Sequence, residues 1–221
     1  LPISIVKLLF LTRLPMHAVV EPVDGGESVP CGDSVRGRVL GSLGRPLGSG
    51  REAGMAAFAG RRTTVAAKPV DCLNRQRIEV PIETGIKAID GLLTLGRGQR
   101  VGIFAGAGTG KSTLLGLIAQ HVDAESVVVA LIGERRFEVQ EFLEDNLGTR
   151  GQQRSTVVVA SSDEPPIAQI RAAHTAMALA EAERDAGRHV VLMMDSLTRF
   201  ARSQSRLGLA LGEPPGRHGY P

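Results

Sequence analysis

The sequence predicts an α/β fold in which a mostly parallel sheet is flanked by helices. Three observations support this prediction. Apolar runs of strand length, rich in Val, Ile and Leu and without strict alternation, recur after Pro81. Helical patterns separate these runs at the spacing typical of parallel sheets. Aromatic residues make up only 3% of the chain, so aliphatic side chains have to build the core.

The residues before this region have a different composition. Residues 1–16 are apolar but are interrupted by Lys7 and Arg13, and they are too short and too broken to span a membrane. Residues 19–77 are rich in Gly and Pro with short apolar alternations, which predicts short strands and loops. We therefore predict two domains, 1–77 and 78–221, and we expect both ends of the sequence to be cut.

Four apolar runs are predicted to form buried parallel strands. They cover residues 100–105, 126–132, 156–160 and 189–194. Each run is dominated by aliphatic side chains, as expected when both faces of a sheet are covered. The carboxyl ends of these strands therefore define the edge at which a ligand is expected to bind.

A long helix is predicted between the last two runs. Its expected cap is Asp163, with prolines in its first turn and Gly187 just past its end. Ile167, Ile170, His174 and Met177 recur on one face. His174 is therefore predicted to be a packed or partly buried side chain rather than a ligand or a base.

A glycine-rich segment follows the first predicted strand and leads into a helical run. It carries Lys111 and Ser112 at the Walker A spacing, in the strand–loop–helix context that supports this motif over a chance glycine-rich connection. Small residues let backbone N–H groups point at a phosphate, Lys111 supplies positive charge, and the Ser112 hydroxyl can ligate Mg²⁺. The predicted ATP-binding residues are Gly106, Ala107, Gly108, Thr109, Gly110, Lys111, Ser112 and Thr113.

Two carboxylates follow predicted strands and are candidates for the same site. Asp195 ends the run 189–194, where an acid can hold a magnesium ion beside phosphates, although it could instead cap the next helix. Glu134 follows the run 126–132 and could polarise a water, with Arg135 neutralising charge on a transferred phosphoryl group. The alternative for Glu134 and Arg135 is a surface ion pair in a charged segment.

Charge and cysteine content limit the possible partners. The net charge of +3 is no signature of nucleic-acid binding, and one Tyr without any Trp offers little for stacking on bases. Cys31 and Cys72 match no metal or redox spacing, which favours a reduced, cytoplasmic compartment. We predict no nucleic-acid partner and at most peripheral membrane association.

Five segments together resemble the type III secretion ATPases, the family of flagellar export and injectisome motors related to rotary ATP synthase catalytic subunits. The segments are GRVLGSLGRPL, PIETGIKAIDGLLTLGRGQRVGIFAGAGTGKSTLL, ALIGER, VVLMMDSLTRFARS and LGLALGEPPGRHGYP. The resemblance implies a P-loop, RecA-like core in 78–221, preceded by part of a small N-terminal β-barrel in 1–77. The family also has Ala at the first loop position, which accounts for Ala105.

The resemblance also implies residue roles and partners. Glu134 matches the water-activating carboxylate, Arg135 a phosphate-contacting residue, Asp195 the magnesium-linked acid, and Arg199 a family arginine near the same site. The family acts as a homohexamer with ATP and Mg²⁺, bound to stalk and regulator proteins, export substrates and chaperones at the inner face of the bacterial inner membrane. The family's arginine finger and C-terminal helical domain lie beyond the position matching Pro221.

One departure from the family pattern concerns the loop after Glu134. The family continues Gly-Arg-Glu-Val after Gly-Glu-Arg, whereas this chain has Arg136 and Phe137 before Glu138. This departure favours one alternative, a nucleotide-binding module without catalysis. Two further alternatives share the same core: a rotary ATP synthase catalytic subunit and a hexameric RNA helicase. The low aromatic content disfavours the helicase, and the DSLTRFARS segment disfavours the synthase.

Overall fold

A four-stranded parallel sheet organises the computed structural model, which describes residues 28–48, 60–65, 73, 75–106 and 108–216. Its strand order is β2–β7–β6–β8. The strands are β1 (Ser28–Pro30), β2 (Val39–Leu40), β3 (Arg62–Thr64), β4 (Pro81–Ile82), β5 (Leu95–Gly96), β6 (Ser126–Ile132), β7 (Ser155–Ala160) and β8 (Val190–Asp195). The helices are α1 (Lys87–Leu92), α2 (Lys111–His121), α3 (Arg136–Glu141), α4 (Gly148–Arg154), α5 (Pro166–Asp185) and α6 (Leu197–Ala210), and a π-helical turn covers Phe142–Leu147.

The two central strands are buried on both faces, which confirms the predicted fold class. Every residue of β6 and β7 is buried. Val128, Ala130 and Ile132 pack into the cluster that includes α5. The alternate residues Val127, Val129 and Leu131 pack into the cluster formed with α2 and the π-helical turn. Each fully buried aliphatic side chain contributes about 1.5–3 kcal/mol, so the helices are fixed to the sheet mainly by this packing.

The long helix α5 buries a different face from the predicted one. Its buried residues are mostly alanines, such as Ala172 and Ala176, which let the helix approach the sheet closely. His174 and Met177 are exposed, so the predicted face was wrong for them, although Ile170 is buried. The His174 ring packs edge-to-face on Phe200 at a centroid distance of 6.1 Å.

The start of α5 also differs from the prediction, whereas its end agrees. Pro165 is the N-cap and Pro166 opens the helix, so Asp163 is not the cap. The fixed φ of a proline suits the first helical turn, and Asp163 instead pairs with Arg136. Gly187 lies past the last helical residue with φ of 82°, as predicted.

The predicted strand over residues 100–105 is not formed. These residues are irregular, and Phe104 is 97% exposed. Both edges of β6 are occupied by β7 and β8, so a strand over residues 100–105 could join the sheet only at one of its outer edges. Within the described residues, β8 pairs only with β6, and its side chains are partly exposed. Residues 100–105 do not pair with the other edge of β8 and are exposed, so the burial that their apolar composition predicted is not observed.

The N-terminal part contains short strands, as its composition predicts. β1 pairs antiparallel with β3, and β4 pairs antiparallel with β5. β2 instead joins the central sheet, where Val39 lies opposite Val157. The β-barrel and the boundary at residue 77 stay predictions, because much of 1–77, including 1–27, lies outside the described residues. None of the helices in the described part of the chain is both long and apolar enough to cross a membrane.

Candidate nucleotide site

The glycine-rich loop is built by backbone conformations that suit glycine. Gly108 has φ of 73° and Gly110 has φ of 87°, both in the left-handed region that side chains with a Cβ disfavour. A Cβ at either position would meet no atom within 4 Å, so backbone conformation rather than space demands glycine here. Thr109 Oγ1 donates to the Gly106 carbonyl at 2.8 Å and closes the turn. The predicted Ala107 lies outside the described residues.

The first turn of α2 supplies the polar groups of the loop. Lys111 is the first residue of α2, followed by Ser112 and Thr113 with exposed side chains. The first backbone N–H groups of a helix have no acceptor within it, and the helix dipole favours an anion at this end. Gly110, Lys111 and Ser112 therefore combine free donors, a cation and a hydroxyl at one point, as phosphate binding requires.

Lys111 and Asp195 meet across the gap between α2 and the end of β8. The Lys111 ammonium forms an ion pair with Asp195 Oδ1. The Asp195 side chain is 6% exposed, so Lys111 compensates a carboxylate that is almost removed from water. Asp195 does not cap α6, because Ser196 is the cap and its hydroxyl accepts from the Arg199 N–H at 3.4 Å. The helix-cap alternative for Asp195 is therefore wrong.

Glu134 lies one strand away, at the carboxyl edge of β6. Arg199 Nη2 donates to Glu134 Oε2 at 3.0 Å and lies 3.9 Å from Glu138 Oε2. The Glu134 side chain is only 15% exposed. Burial, and after it a hydrogen bond with Glu138, raise the pKa of Glu134 to about 7, although the Arg199 charge acts in the opposite direction. The same hydrogen bond holds the pKa of Glu138 below its usual range.

Glu138 is the site residue that sequence reasoning missed. Its carboxylate accepts the backbone N–H of Arg135, the N-cap of α3, at 3.1 Å. An acid three residues after a helix cap is the spacing of a capping box, but the cap here is Arg135 rather than Ser or Thr, so the sequence signature of the box is incomplete. Glu138 thus fixes the start of α3 and also contacts the Arg199 guanidinium.

The arginines after Glu134 point to different partners. The Arg135 side chain is 78% exposed, and its nearest ion pair is Glu138 at 4.0 Å. Arg136 forms a 2.5 Å ion pair with Asp163, in the loop before α5. Phe137 is 75% exposed. The structure therefore brings Arg199 to Glu134, but it does not bring Arg135 into contact with either ion pair of the site.

The donor set fits a magnesium nucleotide better than a metal held by protein alone. The described residues contain no group of three or more His, Cys, Asp and Glu side chains that could hold a metal ion. Mg²⁺ commonly takes one or two protein oxygens together with phosphates and water. The Ser112 hydroxyl, next to Lys111 in the chain, and the Asp195 carboxylate, paired with the Lys111 ammonium, match that pattern.

Comparison with known proteins identifies the family of this chain. The family model described as "ATP synthase alpha/beta family, nucleotide-binding domain" matches residues 85–221. The chain is 49% identical over 195 residues to a type 3 secretion system ATPase of Xanthomonas euvesicatoria, covering 88% of this chain and 43% of the relative. It is 46% identical over 199 residues to a flagellum-specific ATP synthase of Salmonella typhimurium, covering 90% of this chain and 43% of the relative.

Solved structures give the same result. A prototypical ATPase from the type III secretion system of pathogenic bacteria superposes with a TM-score of 0.81 at 46% identity, covering 89% of this chain and 56% of that one. The assembled ATPase EscN, in complex with its central stalk EscO from enteropathogenic E. coli, also gives a TM-score of 0.81 at 46% identity. That match covers 88% of this chain and 47% of EscN.

These matches confirm the predicted resemblance. The chain spans less than half the length of the two curated relatives described above, 43% in each case. The family model nevertheless covers more than half of this chain, including the glycine-rich loop, Glu134, Asp195 and Arg199. The chain belongs to the ATP synthase alpha/beta family, as a nucleotide-binding domain similar to the ATPases of type III secretion and flagellar export.

Proposed function

We propose that this chain binds and hydrolyses ATP as part of a motor subunit that energises type III protein secretion. The observation that carries the proposal is the pairing of two sites at one sheet edge. Lys111 and Asp195 lie at the end of β8, and Arg199 and Glu134 lie at the end of β6. Since β6 and β8 are adjacent parallel strands, a nucleotide held at the first pair lies next to the second.

The first pair suits phosphate and metal binding. Lys111 carries positive charge for the β and γ phosphates, and the loop N–H groups add donors along the same anion. Ser112 and Asp195 provide the oxygens that would hold Mg²⁺. When bound, Mg²⁺ neutralises charge on the phosphates as the terminal bond breaks. When a nucleotide binds, the Lys111 ammonium must give up part of its contact with Asp195 in order to contact the phosphates.

The second pair suits the hydrolytic step. A water that attacks the γ phosphorus has to lose a proton, and Glu134 can accept it when its carboxylate is ionised. A pKa of about 7 means that this carboxylate changes state near neutral pH, which is the useful range for a general base. Arg199 can stabilise negative charge that develops on the transferred group, while Arg135 is exposed and free to approach it.

The relatives also suggest partners and a location for the proposed motor. EscN is solved as an assembled ATPase with a central stalk. We propose the same kind of assembly for the protein of which this chain is part: a homohexamer with nucleotide between subunits, contacting stalk and regulator proteins. We also propose that it acts on export substrates and their chaperones in the cytoplasm, at the inner face of the bacterial inner membrane.

A second candidate function is a nucleotide-binding module without turnover. The loop after Glu134 favours it, because Phe137 is 75% exposed and Arg136 is paired with Asp163 rather than with a site residue. The two candidates differ in hydrolysis and agree on binding.

Calorimetric titration with Mg-ATP, alongside a phosphate-release assay, tests both candidates. Micromolar binding with release that Glu134→Gln abolishes supports the ATPase. Binding with no release, unchanged by Glu134→Gln, supports the module. No binding by a folded chain contradicts both candidates. Circular dichroism of the same sample establishes that the chain is folded.

A further inference from the structure

A buried hydrogen-bond network lies beside the Arg199–Glu134 pair. It centres on Gln169 in α5, which is 4% exposed, and on Ser203 in α6, which is 2% exposed. The Ser203 hydroxyl donates to Gln169 Oε1 at 2.7 Å. Gln169 Nε2 donates to the carbonyls of Ser161 at 3.2 Å and Glu164 at 3.0 Å. The network therefore joins the end of β7, the start of α5 and the middle of α6.

The chemistry of these groups fixes the direction of every bond. Backbone carbonyls only accept hydrogen bonds, so the amide nitrogen of Gln169 has to face Ser161 and Glu164. Its amide oxygen then faces Ser203, whose hydroxyl has to donate. An amide turned the other way would place oxygen against two carbonyls in a buried setting, at a high cost in desolvation. The side chain of Gln169 is thus held in one orientation.

The network reaches the catalytic pair through α6 and Gly133. Ser203 lies four residues after Arg199, so both project from the same face of α6. Gly133 precedes Glu134 and has φ of 73°. A Cβ at Gly133 would lie 2.9 Å from Arg199 Cδ and 3.1 Å from Gln169 Oε1. The Arg199 stem and the Gln169 amide therefore pack on the same glycine.

We propose that Gln169 and Ser203 are positioning residues: their buried hydrogen bond sets the place of α6 against the end of β6, and so keeps the Arg199 guanidinium on Glu134. Arg199 Nη2 lies 3.0 Å from Glu134 Oε2, and a shift of α6 by a fraction of a turn breaks this contact. Neither residue touches nucleotide in this role. The inference deepens the proposed ATPase function and rests on it for its kinetic effect.

A matched control for Ser203→Ala exists in α5, the helix that carries Gln169. Thr175 in α5 is fully buried, and its hydroxyl donates to the Ser42 carbonyl at 2.7 Å. Thr175→Val removes a buried hydroxyl bond of the same kind that is directed to a residue outside the Arg199 network. Ser203→Ala and Thr175→Val should both lower the melting temperature. Only Ser203→Ala should disturb the Arg199–Glu134 contact.

The test combines steady-state kinetics with NMR titration of the ¹³C-labelled Glu134 carboxyl in the nucleotide-free chain. Glu138, Asp195 and Arg199 are the charged groups that act on Glu134 from α3, β8 and α6. We expect Ser203→Ala and Gln169→Met each to lower kcat about tenfold with KM for Mg-ATP within about twofold. Both variants should also raise the Glu134 pKa, since the guanidinium that lowers it is withdrawn.

Each outcome decides the inference. If Ser203→Ala leaves the Glu134 titration unchanged, or if Thr175→Val shifts it equally, the positioning role is wrong. A Ser203→Ala plus Gln169→Met double variant should lower kcat no further than Gln169→Met alone, because Gln169→Met already removes the bond to Ser203. A folded wild-type chain without turnover contradicts the proposed function instead, and the NMR titration still decides whether Ser203 positions Arg199.

Discussion

The two ion pairs at the sheet edge are built differently. Lys111 meets a single carboxylate, Asp195, whose side chain is 6% exposed. Arg199 lies between two carboxylates, Glu134 at 3.0 Å and Glu138 at 3.9 Å. The first arrangement balances one charge with one opposite charge. The second leaves one negative charge in excess, and the hydrogen bond with Glu138 adds to burial, the main cause, in raising the pKa of Glu134 to about 7.

This difference separates binding from turnover. A cation paired with one buried carboxylate is a stable site for an anion to enter, since Lys111 can share its donors between Asp195 and phosphate. A carboxyl group that changes protonation near neutral pH is suited to accepting a proton during a reaction. We therefore expect changes at Lys111 to act on affinity and changes at Glu134 to act on kcat.

The largest expected effect is on affinity. Lys111→Ala should weaken Mg-ATP binding about 100-fold, because a charge-assisted contact is worth about 1.5–3 kcal/mol. Calorimetric titration measures the change. Lys87→Ala in α1, at an exposed lysine, removes the same charge and should leave affinity unchanged. Tight binding that persists in Lys111→Ala would contradict the phosphate-loop assignment.

Turnover should depend on Glu134 to a similar extent. Glu134→Gln keeps the shape and the Arg199 contact but cannot accept a proton, so kcat should fall about 100-fold with affinity largely intact. Glu141→Gln, an exposed acid in α3, is the matched control and should have no effect. A single-turnover phosphate-release assay checks the prediction. Equal loss of affinity in Glu134→Gln would show that this residue serves binding.

Replacing Glu138, the carboxylate next to Glu134, should have a smaller effect, which is a shift in the pH profile of kcat/KM. The kcat/KM of the wild type, at saturating Mg²⁺, should rise with pH through about 7 as Glu134 ionises. Burial is the main cause of this raised pKa, but Glu138→Gln removes a carboxylate that adds to it through a hydrogen bond and its charge, so the rise should move to lower pH. Gln at this position can still accept the Arg135 N–H, which keeps the α3 cap. A profile that does not move would exclude this contribution of Glu138.

The raised pKa of Glu134 also makes the free energy of unfolding depend on pH. Between the ordinary carboxyl range and about pH 7, the folded chain holds a proton at Glu134 that the unfolded chain has lost. The free energy of unfolding should therefore fall as pH rises through this window. Glu138→Gln should reduce this fall, which urea denaturation at several pH values can measure.

The sequence predicted the parts of the fold that local pattern determines. The runs 126–132, 156–160 and 189–194 correspond to β6, β7 and β8, because continuous aliphatic composition is needed wherever both faces of a strand are covered. The run 100–105 has the same composition but forms no strand, although β8 has an edge that pairs with no other strand of the described residues. Pairing is a property of the whole sheet and cannot be deduced from one segment.

The residues of the site were also predictable only in part. Lys111 and Asp195 were assigned from strand ends and loop chemistry, and the structure brings them together. Gln169 and Ser203 carried no sequence signal, because a buried polar pair is defined by contacts between helices that are distant in sequence. The face of α5 was mispredicted for a related reason: alanines are weak hydrophobic markers, yet they form its close contact with the sheet.

The smallest expected effect concerns His174, on the exposed face of α5. Its ring touches Phe200 of α6 edge-to-face, a contact worth about 0.5–1.5 kcal/mol. His174→Ala should lower the free energy of unfolding by no more than this amount and leave Mg-ATP affinity unchanged. Met177→Ala, also on this face, is a suitable control for helix-surface substitution. Because Phe200 adjoins Arg199, a loss of kcat in His174→Ala with normal affinity would instead show that the placement of α6 depends on this ring contact as well as on Ser203.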